Sequence, residues 1–498
     1  MEATVNPITM PSTVRAHLRR WLLLLVLALL GASARAQADP PGRVGAFSHL
    51  EGSVAFAPAG ETQWADASVN RPVTRGDRVW TDPGARAEVH VGTAALHLAS
   101  QTFMEVVALD EQALWVTLHE GAINVRVRQL DGDNLEITTP QLVMRALQPG
   151  DYRIDVDPVN GTTRVAIRSG VAAVHGPGSG AVQLQAGREM AFAGRDLAQV
   201  AWHPRRDDGF QAWATGRNLL EDRSLSARYL TREVVGYHQL DAYGTWNPNG
   251  PYGAVWFPHA VPADWAPYRY GRWDWIPPWG WTWIDDAPWG FAPFHYGRWT
   301  QIGPRWAWVP GPLGRRPVYS PALVMFVGGQ GGAGSWNLSA GSGLGVAWFP
   351  LAPGEAWRPT SRASVTHVRN INRHLPTLAA GGLYVHQSRP NAITVVRAED
   401  FNSERPVQHH WNRSHAIDLS RTQILGQPVL PAPQRHVAGS RGESALRNQL
   451  PRQPPTQDRF QWQQQGHQQQ QPQQWPQPAP PWQRREGQRF QEPQWRGR

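Results

Sequence analysis

The 498-residue sequence predicts a mainly β protein built in modules, on three observations. Short runs of alternating apolar and polar residues fill residues 42–194, broken by glycine and Asp-Gly turns. Between Tyr243 and Pro310 stand twelve tryptophans in a recurring frame, Tyr-Gly-x-Trp, then Trp-x-Trp, then Pro. Cysteine is absent, so neither disulfides nor thiolate chemistry hold the chain together, and burial must do so.

The N-terminus reads as an address rather than a domain. Arg15, Arg19 and Arg20 precede the apolar run Trp21–Leu30 and then a stretch of small residues ending at Ala38. That is the pattern of a signal peptide over residues 1–38, cleaved after Ala36 or Ala38. The run is short for a bilayer span, although an uncleaved anchor is the alternative. No later stretch is long and apolar enough to span, so no integral membrane segment is expected after cleavage, and the location is periplasmic or secreted.

Residues 39–195 form the first β module. The runs Ala87–Val91, Ala95–Leu98, Leu114–Leu118, Ile123–Val127 and Thr163–Ile167 alternate with period two and carry β-branched residues. Such spacing argues a sandwich or roll. The pairs Asp131-Gly132 and Asn160-Gly161 suit tight hairpins, because both tolerate positive φ. The order Gly52-Ser-Val, Arg75-Gly-Asp-Arg-Val-Trp-Thr81, Leu118-His-Glu-Gly121, Thr138-Thr-Pro140, Gly150-Asp-Tyr-Arg-Ile-Asp155 and Ser169-Gly-Val171 resembles the FecR-type periplasmic domain over residues 45–193. Members of that family are transmembrane regulators with a cytoplasmic segment that controls a sigma factor. Here only residues 1–20 precede the apolar run, too few for such a segment. The resemblance therefore implies the extracytoplasmic β module alone.

Residues 196–240 change character. Phe210–Leu220 and Ser226–Val235 space their apolar positions three and four apart, predicting short amphipathic helices in a linker that joins two β domains as a strut.

The tryptophan repeat occupies residues 241–430. Ala266-Pro-Tyr-Arg-Tyr-Gly-Arg-Trp273 recurs as Ala292-Pro-Phe-His-Tyr-Gly-Arg-Trp299, and Tyr243-Gly-Thr-Trp246 is an earlier copy. Gly253-Ala-Val-Trp-Phe-Pro258 is echoed by Gly345-Val-Ala-Trp-Phe-Pro350. The interval suits a β-hairpin with its connection, and successive hairpins are expected to stack, each burying its neighbour's aromatic face. Tyr-Gly-Arg-Trp, Trp279-Gly-Trp-Thr-Trp283, Arg305-Trp-Ala-Trp-Val-Pro-Gly311 and Trp348-Phe-Pro-Leu-Ala-Pro-Gly-Glu355 resemble the tryptophan-rich domain of unassigned function found behind FecR-type domains in secreted bacterial proteins. That resemblance implies location and company, and no activity.

Residues 431–498 are Gln, Pro and Arg with isolated aromatics, a composition that predicts a disordered tail. Its ten arginines face four acids, and the leader holds four arginines against Glu2. Of the formal charge of +9, +6 and +3 therefore belong to the two ends, and residues 37–430 are neutral. A neutral body has no electrostatic footprint for nucleic acid.

Trp273/Trp275, Trp281/Trp283 and Trp306/Trp308 each put two indoles on one strand face. They fill a core or offer stacking platforms to sugar rings. As a ligand-binding set the sequence nominates Tyr270, Trp273, Trp275, Trp281, Trp283, Tyr296 and Trp299, with Arg272 and Arg298 solvating the opposite strand face.

Other constellations carry less. Gly329-Gln-Gly-Gly-Ala-Gly334 lacks the helix a dinucleotide fingerprint needs and reads as a loop. Adjacent Asp285 and Asp286 point to opposite faces and read as a turn rather than a glycosidase pair. His409, His410 and His415 lack metal-ligand spacing. No nucleophile elbow occurs. No catalytic residue, metal or cofactor is expected.

The expectation is thus an exported, non-enzymatic envelope binding or scaffolding protein. Its aromatic residues would contact polysaccharide or another envelope component, such as an envelope protein. The alternative is a soluble periplasmic sensor, a signalling partner of a FecR-type regulatory system.

Overall fold

The computed structural model describes residues 39–428, apart from 131, 178–179, 195, 202–208, 313, 330–344, 360–362, 374–383, 402, 404, 412–421 and 427. The expected signal peptide and tail lie outside the described residues.

The N-terminal module is a two-sheet β structure around one apolar core, as the alternation predicts. One sheet runs Pro72–Val73, Gly45–Glu51, Arg86–Val91, Ala94–Leu98, the second half of Ala113–Val127, Gly150–Asp157, Thr162–Ser169, Glu189–Ala193 and Ala198–Val200. The other runs Ala65–Asp66, Val54–Ala57, Arg78–Thr81, Phe103–Leu109, the first half of Ala113–Val127, Asn134–Thr138, Val143–Ala146, Val171–His175 and Val182–Gln185.

The runs Leu114–Leu118 and Ile123–Val127 are therefore not two strands but one, and it belongs to both sheets. Such corner strands are how orthogonal sheets share a core. Gly121 sits within it at φ +86°, where a Cβ would stand 2.4 Å from Thr102 Oγ1.

This bent strand also corrects the hairpin expected at Asp131-Gly132. The flanking strands run parallel, Asn134 opposite Ala113, because the chain leaves one sheet at Val127 and re-enters the other beside that strand's own start. Asn160-Gly161 does close an antiparallel hairpin, between Gly150–Asp157 and Thr162–Ser169.

Residues Gly209–Asp222 form helix α1. The second expected helix does not form: only Ser226–Arg228 makes a single 3₁₀ turn, and Val234 and Val235 are buried in the aromatic core. Burial of these β-branched residues overrides a weak helical preference. Nor is α1 a strut. It lies on the outer face of the first sheet, where Trp213 meets His97 edge-on at 5.5 Å and donates to Glu51 Oε1 at 2.6 Å.

The tryptophan-rich body contains the repeat as three hairpins: Gly244–Gly250 with Gly253–Pro258, Gly271–Ile276 with Gly280–Asp285, and Arg298–Ile302 with Arg305–Val309. They do not stack in sequence. The first and third join edge to edge through Trp256 opposite Trp308, and the second stands as its own two-stranded sheet.

A third sheet of this body, Thr394–Arg397, Gly345–Pro350, Val324–Gly329 and Thr422–Leu425 in that order, completes it. Period two serves both of its faces. Val324, Phe326, Val346 and Trp348 enter the aromatic core, whereas Leu323, Met325, Ala347 and Phe349 enter a smaller one.

Each hairpin shows what Tyr-Gly-x-Trp does. The tryptophans pair across strands, Trp246 with Trp256, Trp273 with Trp283 and Trp299 with Trp308. The glycine lies against the partner strand's indole. A Cβ on Gly244, Gly271 or Gly297 would come within 2.1, 2.7 and 2.7 Å of the rings of Trp256, Trp283 and Trp308. Only a residue without a side chain lets the ring approach its backbone so closely.

The two bodies share an interface along the second hairpin. Its indole face enters the aromatic core, and its other face meets the β module. Arg71 pairs with Asp274, and Arg272 Nη2 donates to Ser68 Oγ at 2.6 Å, so Arg272 docks rather than solvates. Asn70 Nδ2 donates to the carbonyls of Asp285 (2.9 Å) and Ala287 (2.6 Å). Asn70→Ala, which strips two carbonyls of a donor, is expected to cost about 2 kcal/mol. Urea unfolding checks this; an unchanged midpoint would mean that the junction bears no load.

Candidate functional site

The seven nominated aromatics fall into two groups. Trp273, Trp275, Trp281 and Trp283 share one face of the second hairpin, with Tyr270 just before it. Trp299 belongs to the third, where it meets Trp265 edge-on at 5.4 Å, and Tyr296 lies just before that hairpin. Trp273, Trp281, Trp283, Tyr296 and Trp299 are buried; Tyr270 and Trp275 are half-buried. Phe326, Trp348 and Phe401 pack on Trp273, Phe401 on Trp281, Tyr268 and Phe294 on Trp283, and Trp265, Trp289 and Phe294 on Trp299.

Their polar edges are mostly in use. Trp283 Nε1 donates to Asp285 Oδ2 (3.0 Å) and Trp299 Nε1 to Pro293 O (2.9 Å). Tyr270 Oη donates to Asp264 Oδ1 (2.5 Å). Burial raises the Tyr296 hydroxyl well above its ordinary value.

Arg298 is buried, not solvating. Its Nε donates to Glu355 O at 3.0 Å and its Nη2 to Asn372 Oδ1 at 3.1 Å, and burial lowers it to about 10. Glu355 itself accepts from the backbone amides of Ala352 (2.7 Å) and Val385 (2.6 Å). The Trp-Phe-Pro-Leu-Ala-Pro-Gly-Glu motif therefore ends in a carboxylate that ties its own loop.

The remaining sequence candidates have structural roles. Asp285 ends its strand and accepts from Trp283 Nε1 and Ala287 N (3.0 Å each), with burial raising it well above the carboxylate range. Asp286 accepts from Gln408 Nε2 at 2.6 Å. His409 and His410 sit at the end of a 3₁₀ turn, His410 being 3.7 Å from Asp400. His415 and residues 330–334 lie outside the described residues.

A different cluster joins the modules. On strands Arg86–Val91 and Ala94–Leu98 the core-facing positions are Ala87, Val89, Val91, Ala94, Leu96 and Leu98, so Glu88, His90 and His97 face outward. Helix α1 covers them. Arg217, one turn before Glu221, grips Glu88 with two bonds, Nε to Oε2 at 2.7 Å and Nη2 to Oε1 at 3.1 Å.

Glu221 Oε1 lies 3.1 Å from His90 Nε2, and Oε2 lies 2.9 Å from Arg128. The chain entering the aromatic body closes the group. Gly236 N donates to His90 Nδ1 at 3.0 Å, Tyr237 Oη donates to Glu221 Oε1 at 3.2 Å, and His238 Nε2 lies 3.9 Å from Glu88.

The charges balance: Glu88 and Glu221 against Arg217 and Arg128. Burial alone would raise both carboxyls. His97 and Arg217 outweigh it for Glu88, held well below its ordinary value. His90, His238 and Arg128 outweigh it for Glu221, held at about 2. Burial drives the His238 imidazole down to about 4.

Among the described residues, His90, Glu221 and His238 are the one group with ligand atoms close enough for a metal, within 4.8 Å. The hydrogen bonds argue against that use. Because Gly236 N–H occupies the Nδ1 lone pair of His90, the neutral ring carries its proton on Nε2, the atom a metal would need. Arg128 adds a positive charge beside the same carboxylate. The arrangement is a neutral interlock of three segments.

Nothing in the sequence reading singled out this cluster. The trace was there: two strands with apolar inward positions carry Glu and His outward, and α1 carries Arg and Glu four apart. That the helix lies on those strands is tertiary information.

Comparisons with known proteins agree with this modular layout. The FecR protein family matches residues 77–173, and a family of unknown function, DUF6600, matches residues 237–362. The chain thus carries a FecR domain followed by a DUF6600 domain. Two crystal structures of a putative anti-sigma factor from Parabacteroides distasonis ATCC 8503 are similar to part of it. One, at 16% identity and a TM-score of 0.24, covers 28% of this chain and 65% of that one. The other, at 15% identity and a TM-score of 0.24, covers 29% and 71%. A search of curated proteins finds no match.

Proposed function

We propose that this chain is an envelope-side component of a FecR-type regulatory system, with the FecR domain engaging a regulatory partner and the tryptophan-rich body setting that domain's state. The observation that carries this reading is the FecR match over residues 77–173. The interlock and the Asn70 junction support the coupling, since a change in one body must be felt in the other. Among the described residues no helix is long and apolar enough to cross a membrane, so a membrane partner would complete the path inward. The protein acts by binding and carries out no catalysis.

The test is transcriptional. Deleting the gene should shift a discrete set of transcripts, restored by the full chain and not by a chain in which Glu88→Gln loosens the interlock. A transcript profile that is unchanged by deletion under envelope stress would overturn the proposal.

A further inference from the structure

The histidines of the interlock differ in what their nitrogens face. His90 Nδ1 accepts the Gly236 N–H at 3.0 Å, and its Nε2 lies 3.1 Å from Glu221 Oε1. One donor and one acceptor suit a neutral imidazole, which has one lone pair and one proton. His97 Nδ1 lies 3.3 Å from Asn124 O and its Nε2 lies 3.3 Å from Glu88 Oε2. Two acceptors suit a ring with two protons, so His97 can be charged where it stands.

A second proton on His90 must go to Nδ1. There it meets the Gly236 N–H, donor against donor, and that bond is lost. Glu221 steadies the charged ring on its other nitrogen, so the contact with Gly236 is the one that acid breaks. Gly236 is also the hinge of the junction. It sits at φ +80°, and the space beside its Cα is closed by Phe291 and Ala292 of the tryptophan-rich body.

No other group around His90 takes up the proton in its place. The strands on either side set Ala46 and Ala95 opposite it. Glu88 on its own strand is held by Arg217 of α1, and Glu221 of α1 by Arg128. On the entering chain, Arg232 Nη1 donates to Glu221 O at 3.1 Å and Tyr237 Oη to Glu221 Oε1 at 3.2 Å. His238 stands edge-on to His90 at 5.3 Å between ring centroids, so a charge on either ring opposes a charge on the other.

We infer that this junction is a proton-operated latch: a proton on His90 displaces the Gly236 N–H and releases the chain entering the tryptophan-rich body from the β module. Closed, the latch excludes a proton that the open form accepts, so acid shifts the balance toward opening. Each excluded histidine proton favours opening about tenfold per pH unit below the ordinary value near 6.5. His97, able to keep its proton when closed, does not drive the change. Mild acid as the signal read by a regulatory system rests on the function proposed above; the latch itself does not, and each can fail without the other.

The chain has no cysteine, so a single introduced thiol reports opening. Val235 is buried beside Gly236, and Val235→Cys puts a thiol beneath the latch. Its rate of reaction with a dipyridyl disulfide, divided by that of free cysteine at the same pH, gives the opening constant. Between about pH 7.5 and 5.5, above the range where ordinary carboxylates titrate, that constant should rise about tenfold. Val165→Cys, in the core of the β module, should show no rise. Adding His90→Asn, whose amide oxygen can accept from Gly236 but takes no proton, should abolish the rise at the Val235→Cys thiol.

A constant that stays flat in Val235→Cys would overturn the latch. So would an equal rise in Val165→Cys, which would mean that acid loosens the whole chain, or a full rise in the presence of His90→Asn. The two thiol profiles decide the matter should the His90 variant not fold.

Discussion

Glu88→Gln is expected to destabilise the chain by about 3–5 kcal/mol, the usual cost of removing one partner from a buried ion pair. Glu88 is buried, and its two oxygens take both bonds from Arg217. The amide would face that guanidinium with a carbonyl on one side and an NH₂ on the other, leaving a buried cation short of its counter-charge. His97, 3.3 Å from the same carboxylate, loses its partner as well.

A second variant separates charge from packing. Arg217→Met in the Glu88→Gln background removes the stranded cation and should recover most of the loss. Guanidinium-induced unfolding followed by tryptophan fluorescence reads both. If the single variant costs under about 1 kcal/mol, the pair behaves as an exposed one, and the interlock does not couple the modules.

The sequence carried the fold wherever a local rule governs. Alternation placed the strands of the β module, and Tyr-Gly-x-Trp marked each hairpin, because an indole lying over a glycine is a contact between neighbouring strands. It failed where distance along the chain decided the outcome. Gly121 reads as a turn glycine but lies inside a corner strand that joins two sheets, and this made the strands around Asp131-Gly132 parallel.

Arg272 and Arg298, on the outward strand face, read as solvated cations. One instead docks on Ser68 and the other ties the loop at Glu355. Parity told which face each occupies and said nothing of what lies beyond it. The nominated aromatics share this limit: their spacing put four indoles on one hairpin face, while the cover over Trp273 and Trp281 comes from Phe326, Trp348 and Phe401, far along the chain.

Acid is expected to weaken the folded chain through His238, and the size of that effect is readable only as a difference. Burial holds His238 down at about 4, against an ordinary 6.5 in the unfolded chain. Below 6.5 the unfolded chain takes up a proton that the folded one refuses. Stability from this group is therefore full above 6.5 and falls away as the pH drops toward 4, by about 3 kcal/mol in all.

His295 and His386, lowered by burial to about 3 and about 4, act in the same direction. Asp77 acts in the opposite one. Burial raises it to about 7, so its contribution is present below its unfolded value near 3.8 and is lost as the pH rises through 7. Asp285, raised well above its ordinary value, adds to that opposition. The whole-protein pH curve thus mixes opposing terms and is nearly silent about any one of them.

His238→Gln removes this term and leaves those of His295, His386, Asp77 and Asp285, although Glu221, which His238 helps to hold low, loses part of that hold. Whatever the variant costs at pH 7, that cost should shrink by about 3 kcal/mol at pH 4, measured by urea unfolding at each pH. Parallel curves for the two proteins would mean that His238 titrates alike in the folded and unfolded chain, and that water reaches the junction between the modules.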